Sequence, residues 1–405
     1  MSNRTVVIGG GAAGLMAAGR AAERGKNVIL LEKNALLAKK VRITGKGRCN
    51  ITNDADMEEF IRNVPTNGKF LYSAFYTFTN QDIIRLLHDL GVATKVERGG
   101  RVFPVSDSAK DVAEALKKYA LHKNTDWVKT AAVGLRIQDG AVTGVRTKNG
   151  VIACGSAIVA TGGKSYPLTG STGDGYRFAE NAGHTVIPPK PSLIPIVTRE
   201  RWVTELMGLS LRNIGFLVLD EKGKKVYSDF GELLFTHFGI SGPVVLPASA
   251  HMRRPQAYKM LIDLKPALSH EQLDKRILRD FEAQHKKHLV NALDLLLPKA
   301  LIPVIIKLLQ FDPHMEVNAV TKVQREQLCR LLKAFPLTAA GFRPIEEAII
   351  TSGGVKTSEI NPSTMESKLV KGLYFAGEVI DVDAYTGGYN LQIAFSTGYL
   401  AGDSV

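Results

Sequence analysis

Three glycines near the start of the chain have the spacing of a turn that binds a diphosphate. Gly9, Gly11 and Gly14 follow a short run of β-branched residues and form the pattern G-x-G-x-x-G. Gly9 permits a tight turn, Gly11 lets the backbone approach a diphosphate, and Gly14 lets the next helix pack closely. The phosphates of such a ligand are held by free N–H groups at the positive end of the helix dipole. The pattern therefore predicts a dinucleotide site.

An acidic residue stands where the ribose of that dinucleotide would lie. Glu32 ends the next apolar run, eighteen residues after Gly14. A carboxylate there accepts hydrogen bonds from a ribose diol and repels a 2′-phosphate, so we expect an unphosphorylated adenosine. The alternative is a glycine-rich turn that binds nothing. Because the strand, glycines, helix, second strand and acid are in register, the ligand-binding interpretation is favoured.

The elements that position these residues alternate between strands and helices over the first 190 residues. Residues 38–53 form a glycine-rich loop, residues 99–104 a strand with a turn, and residues 127–151 a pair of small hairpins. Helices are predicted at 82–90 and 108–119, the second with Ser106 or Ser108 as its N-cap. A buried strand at 156–161 then ends in Gly162 and Gly163.

The alternation stops at about residue 192 and returns near residue 346. Between them we expect strands at 193–197, 214–219 and 232–235 and helices at 269–281, 289–297, 299–310 and 322–334. A strand and turn at 373–378 and a helix at 391–402 close the chain. The sequence predicts an α/β protein with a discontinuous Rossmann-like domain, residues 1–191 and 346–405, and an inserted domain, residues 192–345. The insertion is β-rich over 192–262 and mainly helical over 263–345.

Composition limits the class of protein. The 405 residues are 45% hydrophobic and contain no apolar run long enough to span a bilayer and no leader pattern, so we expect a cytoplasmic protein that does not interact with membranes. The cysteines Cys49, Cys154 and Cys329 are widely spaced, which fits a reducing compartment and argues against structural zinc. His285 and His288 lack a third ligand nearby, so no metal site is predicted.

The charge is the unusual feature of the composition. The formal net charge is +13, with six Lys or Arg and no acid in residues 33–53, and fifteen Lys or Arg against nine acids in residues 253–340. Such an excess suggests a polyanionic partner. Two alternatives remain open: a solvated basic surface, and, for the first cluster, contact with the phosphates of the dinucleotide.

Several segments resemble one bacterial flavoprotein family. They are residues 44–53 (TGKGRCNITN), 157–165, 234–243 (LFTHFGISGP), 352–355, 372–381 and 386–392. They are similar to the family that contains aminoacetone oxidase, bile-acid Δ4,6-reductase and 23S rRNA dihydrouridine synthase, within the glutathione-reductase-like superfamily. Lys46 stands where the family has the second glycine of G-G-G-R-C-N. The resemblance implies FAD as the cofactor.

The resemblance also implies which residues hold FAD. It places Glu378 at the ribityl and diphosphate region and directs the start of the last helix at the flavin ring, where its dipole stabilises a reduced, anionic flavin. Beside the residues named above, it assigns the following residues to FAD: Ala12, Ala13, Lys33, Lys40, Thr44, Gly45, Gly47, Arg48, Asn50, Val133, Thr161, Gly162, Gly163, Gly377, Glu378, Asp381, Gly388, Asn390, Leu391 and Gln392.

The chemistry expected of such a protein is hydride transfer through FAD. Only one G-x-G-x-x-G follows a strand, so NADPH or NADH would dock transiently. Reduction of an activated C=C also needs a proton, for which Cys49 is the first candidate and His237 the second. Lys46 and Arg48 would lower the pKa of the Cys49 thiol and favour a thiolate. Alternatively, Cys49 packs beside the cofactor and His237 is structural.

The basic charge favours uridine in ribosomal RNA as the substrate. Two other interpretations remain: a small-molecule flavoenzyme, either an amine oxidase or an enone reductase, and a flavin-containing RNA-binding or assembly protein without turnover. The sequence leaves the oligomeric state open.

Overall fold

The computed structural model describes residues 4–121, 124–252 and 258–405. The chain forms two compact units, a first unit of Met1–Ser192 with Ile345–Val405 and an inserted unit of Leu193–Pro344. Arg253 and Arg254, which contribute to the predicted charge excess at 253–340, lie outside the described residues.

The described strands belong to four open sheets and one barrel. In chain order they are β1 (Arg4–Ile8), β2 (Asn27–Glu32), β3 (Thr52–Asn53), β4 (Thr94–Glu97), β5 (Arg101–Pro104), β6 (Thr125–Lys129), β7 (Ala132–Gln138), β8 (Ala141–Thr147), β9 (Gly150–Ala153), β10 (Ser156–Val159), β11 (Val186–Ser192), β12 (Ile196–Thr198), β13 (Ser210–Leu219), β14 (Lys225–Phe235), β15 (Gly239–Ser241), β16 (Lys259–Asp263), β17 (Phe335–Phe342), β18 (Ile350–Val355) and β19 (Leu373–Phe375).

The described α-helices occur in both units. They are α1 (Ala12–Glu23), α2 (Met57–Arg62), α3 (Tyr72–Thr77), α4 (Asn80–Asp89), α5 (Ala109–Ala120), α6 (Asp174–Asn181), α7 (Val245–His251), α8 (His270–Ala283), α9 (Leu289–Ala292), α10 (Ile302–Leu309), α11 (Lys322–Lys333) and α12 (Tyr389–Ser404).

A five-stranded parallel sheet is the centre of the first unit. Its order is β19-β10-β1-β2-β6, and each neighbouring pair runs parallel. The apolar β-branched residues of β1 and β10 are buried, as expected for a sheet covered on both faces. This is the Rossmann-like arrangement that the sequence predicted, and the α/β fold class is confirmed. The carboxyl ends of all five strands lie at one edge of the sheet.

Helix α12 packs closely on α1 because two of its positions lack a side chain. A Cβ at Gly398 would lie 2.3 Å from the Ala13 carbonyl oxygen, and one at Gly402 would lie 2.4 Å from that of Ala17. The last helix is thereby held against the first, although 365 residues lie between the end of α1 at Glu23 and the start of α12 at Tyr389.

Three smaller sheets complete the first unit: β3-β5-β4, β7-β8-β9 and β11-β18. The hairpin prediction for residues 127–151 was partly wrong. Strand β6, which contains Trp127, pairs parallel with β2 and extends the central sheet, whereas β7, β8 and β9 form the antiparallel hairpins. Turn residues mark a hairpin, but they do not indicate which partner the strand before it selects.

The inserted unit is built on a closed barrel of six strands. Its order is β12-β15-β14-β13-β16-β17, and β17 closes it by pairing with β12. Strand β17 lies within the stretch predicted to be mainly helical; Ala339 and Gly341 give it a weak strand signal, so its pairing decides its structure. Strand β12 begins later than predicted, since Leu193 has a left-handed φ of +54°.

No described helix is both long enough and apolar enough to cross a membrane.

Candidate cofactor site

An elongated cavity follows the carboxyl edge of the parallel sheet. Residues at or just beyond the ends of all five strands line it: Gly9, Glu32, Thr130, Ala160 and Ala376. Its empty space, including the part open to solvent, is about 1320 Å³. Ligands of open α/β sheets bind at this edge. The cavity is therefore the candidate site.

The glycine turn lies at one wall of the cavity and has little room for side chains. Gly9 has a φ of +108°, and a Cβ at Gly14 would lie 1.8 Å from the Gly9 carbonyl oxygen. At Gly11, by contrast, no atom lies within 4 Å of the added Cβ. Gly14 is thus required by the turn itself, whereas Gly11 leaves space in front of the first turn of α1. No side chain caps that turn, so its N–H groups are available to a ligand.

Glu32 is held in place at the end of β2 by three hydrogen bonds. Its Oε2 accepts from the Gly10 N–H at 2.8 Å, and its Oε1 accepts from the backbone and side-chain N–H groups of Asn34 at 2.8 Å each. Because each carboxylate oxygen has about two acceptor sites, a ribose hydroxyl can still donate to it.

Two of the lysines assigned to FAD are paired with carboxylates at the cavity wall. Lys33 Nζ lies 2.7 Å from Asp174 Oδ2, and Lys40 Nζ lies 2.6 Å from Glu378 Oε2. Glu378 Oε1 also accepts from Ser165 Oγ at 2.9 Å. The positive charge of these two lysines is therefore paired within the protein, and their contact with the phosphates of a dinucleotide stays a prediction.

The cavity brings together most of the cofactor residues that the sequence singled out. Those that line it are Gly9, Gly11, Ala12, Ala13, Glu32, Lys33, Lys40, Thr44, Thr161, Gly162, Gly377, Glu378, Asn390 and Leu391. Those that are not in its lining are Gly14, Gly45, Gly47, Arg48, Asn50, Val133, Gly163, Asp381, Gly388 and Gln392. Of the latter, Gly388 precedes α12, and its neighbours Asn390 and Leu391 reach the cavity.

Arg48 contacts side chains outside the cavity lining. Its guanidinium forms ion pairs with Glu97 and Asp107 and lies over the ring of Phe103. Hydrogen bonds from Arg48 lower the pKa of Glu97, and those from Lys95 and Arg48 lower the pKa of Asp107. The sequence could not reveal this, because Glu97 and Asp107 lie 49 and 59 residues away from Arg48 in the chain.

The side chain of Gln392 is also committed within the protein. It is fully buried; its Oε1 accepts from Thr52 Oγ1 at 2.7 Å, and its Nε2 donates to the Phe78 carbonyl and to Ser396 Oγ. The side chain thus links α12 to the loop at Thr52 and to the Phe78 carbonyl, and the assignment of Gln392 to FAD stays a prediction.

Cys49 is buried rather than activated. Its side chain is 0% exposed, and burial raises the pKa of the thiol to about 12, only partly opposed by a hydrogen bond from Thr44. The prediction that Lys46 and Arg48 lower this pKa was wrong, because Arg48 is paired elsewhere and the thiol is shielded from solvent. Cys49 remains a neutral thiol at pH 7, and it is not in the cavity lining.

His237 belongs to the inserted unit. It is exposed in the tight turn between β14 and β15, where its ring meets Phe238 edge-on at 4.9 Å. Its catalytic role stays a prediction.

Two features of the first unit escaped the sequence reasoning. Ile349 and Ile350 line the cavity just before and at the start of β18, although only the neighbouring glycines had a motif signal. Asp383 is 1% exposed; its Oδ2 accepts from Ser192 Oγ at 2.8 Å, and its Oδ1 has no hydrogen-bond partner among the described residues. A single acid in a loop has no sequence pattern that marks it as buried.

The fold and cavity agree with a comparison against known families. The pattern described as the HI0933-like protein Rossmann domain matches residues 3–404. The chain belongs to the HI0933-like family. It is therefore an FAD-dependent oxidoreductase, as the resemblance implied.

Two relatives match this chain over nearly their whole lengths. A ribosomal RNA dihydrouridine synthase from Haemophilus influenzae is 34% identical over 416 residues, which cover 100% of this chain and 98% of the relative. A 3-dehydro-bile acid Δ(4,6)-reductase from Clostridium scindens is 32% identical, with coverages of 99% and 98%. The structure of 3-ketosteroid Δ1-dehydrogenase from Sterolibacterium denitrificans, 13% identical with 99% of each chain covered and a TM-score of 0.51, shares the fold.

The cavity of this HI0933-like protein fits FAD. The open space at Gly11 and the uncapped N–H groups of α1 suit a diphosphate, and Glu32 suits a ribose. In addition, Thr161 lines the cavity while its buried hydroxyl lacks a partner among the described residues. Because buried hydroxyls are almost always hydrogen-bonded, we expect a polar group of the bound ligand to be the hydrogen-bond partner of Thr161.

Proposed function

We propose that this enzyme reduces uridine in ribosomal RNA to dihydrouridine, with NADPH or NADH as the electron donor. The observation that carries the proposal is the match to a ribosomal RNA dihydrouridine synthase over 100% of this chain and 98% of the relative. The net charge of +13 supports it, because a polyanionic substrate gains affinity from a basic protein.

The reaction is a balanced two-electron reduction. The C5=C6 double bond of uracil, conjugated with the C4 carbonyl, becomes a single bond when a hydride adds to C6 and a proton adds to C5. The nicotinamide loses the hydride and becomes NADP⁺ or NAD⁺. Bound FAD supplies the hydride carrier between the two.

The residues of this chain have three tasks in that scheme. The first turn of α1 would bind the diphosphate of FAD, and Glu32 would bind its ribose. The paired Lys40 and Glu378 would hold the wall of the cavity in a fixed geometry. The start of α12, after Gly388, would direct its N–H groups at the ring system, where they favour negative charge.

The third part of the reaction is proton delivery to C5 of uracil. The Cys49 thiol holds its proton at neutral pH but is buried away from the cavity lining. Asp383 is buried with an unpartnered oxygen, one residue from Val382, which lines the cavity. We therefore favour Asp383 over Cys49 for a role in proton delivery. Asp383→Asn should then lower turnover by about 100-fold or more, whereas Cys49→Ala should leave turnover within about twofold.

Nucleoside mass spectrometry of ribosomal RNA tests the proposed function. We expect dihydrouridine to disappear from the RNA of a strain that lacks this gene and to return when the gene is restored. Unchanged dihydrouridine in a deletion strain without a paralogue would contradict the proposal.

A second candidate function is the reduction of a small enone. It is favoured by the 32% identical relative named as a bile-acid reductase. Anaerobic stopped-flow experiments separate the two. The protein is reduced with NADPH and then mixed with ribosomal RNA or with a 3-oxo-Δ4 steroid, and the substrate that reoxidises the flavin faster identifies the class.

A further inference from the structure

Two loops beside the cavity carry three exposed cations. Lys46 lies in the loop before Cys49, Arg98 lies in the turn between β4 and β5, and Arg101 begins β5. None of the three forms an ion pair with an acidic residue that the structure describes. We call Lys46, Arg98 and Arg101 together the basic turn.

The acids nearest to the basic turn in the sequence already have other partners. Glu97 pairs with Arg48, and Asp107 pairs with Arg48 and Lys95. Residues 44–53 and 94–107 contain five Lys or Arg and two acids, a net charge of +3. Because the two acids are used by Arg48 and Lys95, the surplus charge is that of the basic turn.

Asn53 fixes the basic turn beside the candidate site. Its side-chain amide donates to the Gly99 carbonyl and to the Gly387 carbonyl, at 3.0 Å each, and the residue is 3% exposed. Gly99 lies in the turn with Arg98, whereas Gly387 lies two residues before α12. One buried side chain thus joins the turn to the loop that opens the last helix. On the other loop, Thr44 lines the cavity two residues before Lys46.

The backbone at Lys46 is in a conformation that a lysine adopts at a cost. Its φ is +58°, between Gly45 at +57° and Gly47 at +87°. A left-handed backbone costs a residue with a Cβ about 1–2 kcal/mol. Strain of this kind persists where the surrounding structure enforces it, and it is concentrated at functional positions. The side chain of Lys46 is exposed, so packing does not explain the lysine.

The location of these cations fits a polymer better than a small ligand. Small ligands bind in concave pockets, and none of the three residues lines the cavity. Exposed cations on neighbouring loops suit successive phosphates of a nucleic-acid backbone. We propose that the basic turn binds the phosphodiester backbone of the RNA next to the uridine that is reduced. This inference rests on the proposed function.

Equilibrium RNA binding tests the proposal. The probe is a fluorescein-labelled single-stranded RNA of about 20 nucleotides, longer than the ~4–16 nucleotides that one binding module covers. The full-length, FAD-loaded protein is compared with its K46S/R98S/R101S variant by fluorescence anisotropy over a series of salt concentrations. Three lost phosphate contacts on a single strand should make the plot of log K against log salt shallower by about 2. At ~0.1 M salt, affinity should fall about 10- to 100-fold.

The inserted unit provides a matched control. Lys222, Lys224 and Lys225 lie at the turn between β13 and β14; they are also exposed and also lack ion pairs with the described acids. The K222S/K224S/K225S variant has the same change in net charge. We expect its RNA affinity to fall by less than about threefold, since it removes only the long-range attraction. An equal loss in both variants would overturn the proposal, because net charge alone would then explain the binding.

Two further measurements make the outcome decisive. The flavin absorbance spectrum, the FAD content and the rate of flavin reduction by NADPH should be unchanged in the K46S/R98S/R101S variant. A variant that lost affinity for NADPH and kept its affinity for RNA would overturn the proposal and assign the cations to the electron donor. If the unsubstituted protein bound no RNA, both this inference and the proposed function would fail. If the triple variant bound RNA as tightly as the unsubstituted protein, only this inference would fail.

Discussion

The wall of the cavity and the basic turn both draw cations from residues 33–53, but they use them differently. Lys33 and Lys40 at the cavity are paired with Asp174 and Glu378. Lys46 in the basic turn has no such partner among the described acids. Charges that are paired hold loops together, whereas unpaired ones remain available to a partner. A charge excess in the sequence therefore does not show where that charge acts.

The inserted unit illustrates the same difference. Its excess at residues 253–340 is partly used internally: Arg325 pairs with Asp274, and Lys333 pairs with Asp263. Part of the positive charge of this unit is thus neutralised by its own acids. The charge excess of residues 253–340 therefore supports RNA contact less than the sequence suggested.

The largest effect should come from the glycine turn at the cavity. Gly14→Ala places a Cβ 1.8 Å from the Gly9 carbonyl oxygen, so the turn must move. We expect purified protein without bound FAD and a free energy of unfolding lowered by about 3 kcal/mol or more. Flavin absorbance and chemical denaturation measure the two quantities.

Gly11→Ala is the matched comparison for this turn. Its Cβ meets no protein atom within 4 Å and instead enters the space assigned to the diphosphate. The apoprotein should unfold at the same denaturant concentration as the unsubstituted apoprotein, while FAD affinity falls at least tenfold. Normal FAD affinity in this variant would show that the diphosphate does not lie in front of α1.

The second-largest effect should come from the ion pair at the cavity wall. Glu378→Ala leaves Lys40 half-buried without its carboxylate and also removes the acceptor of Ser165 Oγ. The free energy of unfolding should fall by about 2–3 kcal/mol, whereas RNA affinity of the FAD-loaded protein should not change. The K40M/E378Q double variant should recover part of the loss because it leaves no unpaired charge. Reduced RNA affinity in Glu378→Ala would show that the cavity wall and the basic turn are not independent.

Local patterns revealed the glycine turn but not the partners of the loop residues. Gly9, Gly11, Gly14 and Glu32 are recognisable because one strand–helix–strand unit fixes their positions relative to one another. Whether Arg48 is free depends on side chains that only the tertiary fold brings close. The same is true of the burial of Cys49, which reverses the direction of its predicted pKa shift. Family resemblance pointed to these loops without distinguishing residues that line the cavity from residues that support it.

The cavity and the basic turn both require a folded first unit. His184 makes the stability of this unit depend on pH. Its side chain is fully buried between Glu359 and Ser367, with Nε2 2.7 Å from Ser367 Oγ. Ser367 Oγ already accepts hydrogen bonds from two backbone N–H groups, so its hydroxyl proton points to His184. The Nε2 of His184 therefore accepts this proton's hydrogen bond and carries no proton itself. Burial lowers the pKa of His184, although Glu359 opposes the shift.

Acidification should therefore destabilise the first unit. The stability that neutral His184 contributes is fully present above its pKa in the unfolded chain, about 6.5. It is lost as the pH falls towards the lower pKa in the folded protein, by at most about 1.4 kcal/mol per pH unit. Denaturation between pH 7.5 and 5 measures this slope. His184→Gln should flatten it, whereas the exposed His237→Gln should not. An unchanged slope in His184→Gln would assign the pH dependence to other groups.

The smallest effect should come from Lys46, and it separates charge from strain within the basic turn. Lys46→Gly relieves the left-handed backbone but adds freedom to the unfolded chain, so the free energy of unfolding should rise by no more than about 1 kcal/mol. Lys46→Ala keeps the strain and should leave stability nearly unchanged. Both remove the charge, so RNA affinity should fall equally in the two variants. If Lys46→Gly kept the RNA affinity that Lys46→Ala lost, RNA affinity would depend on the conformation of the loop and not on the charge of Lys46.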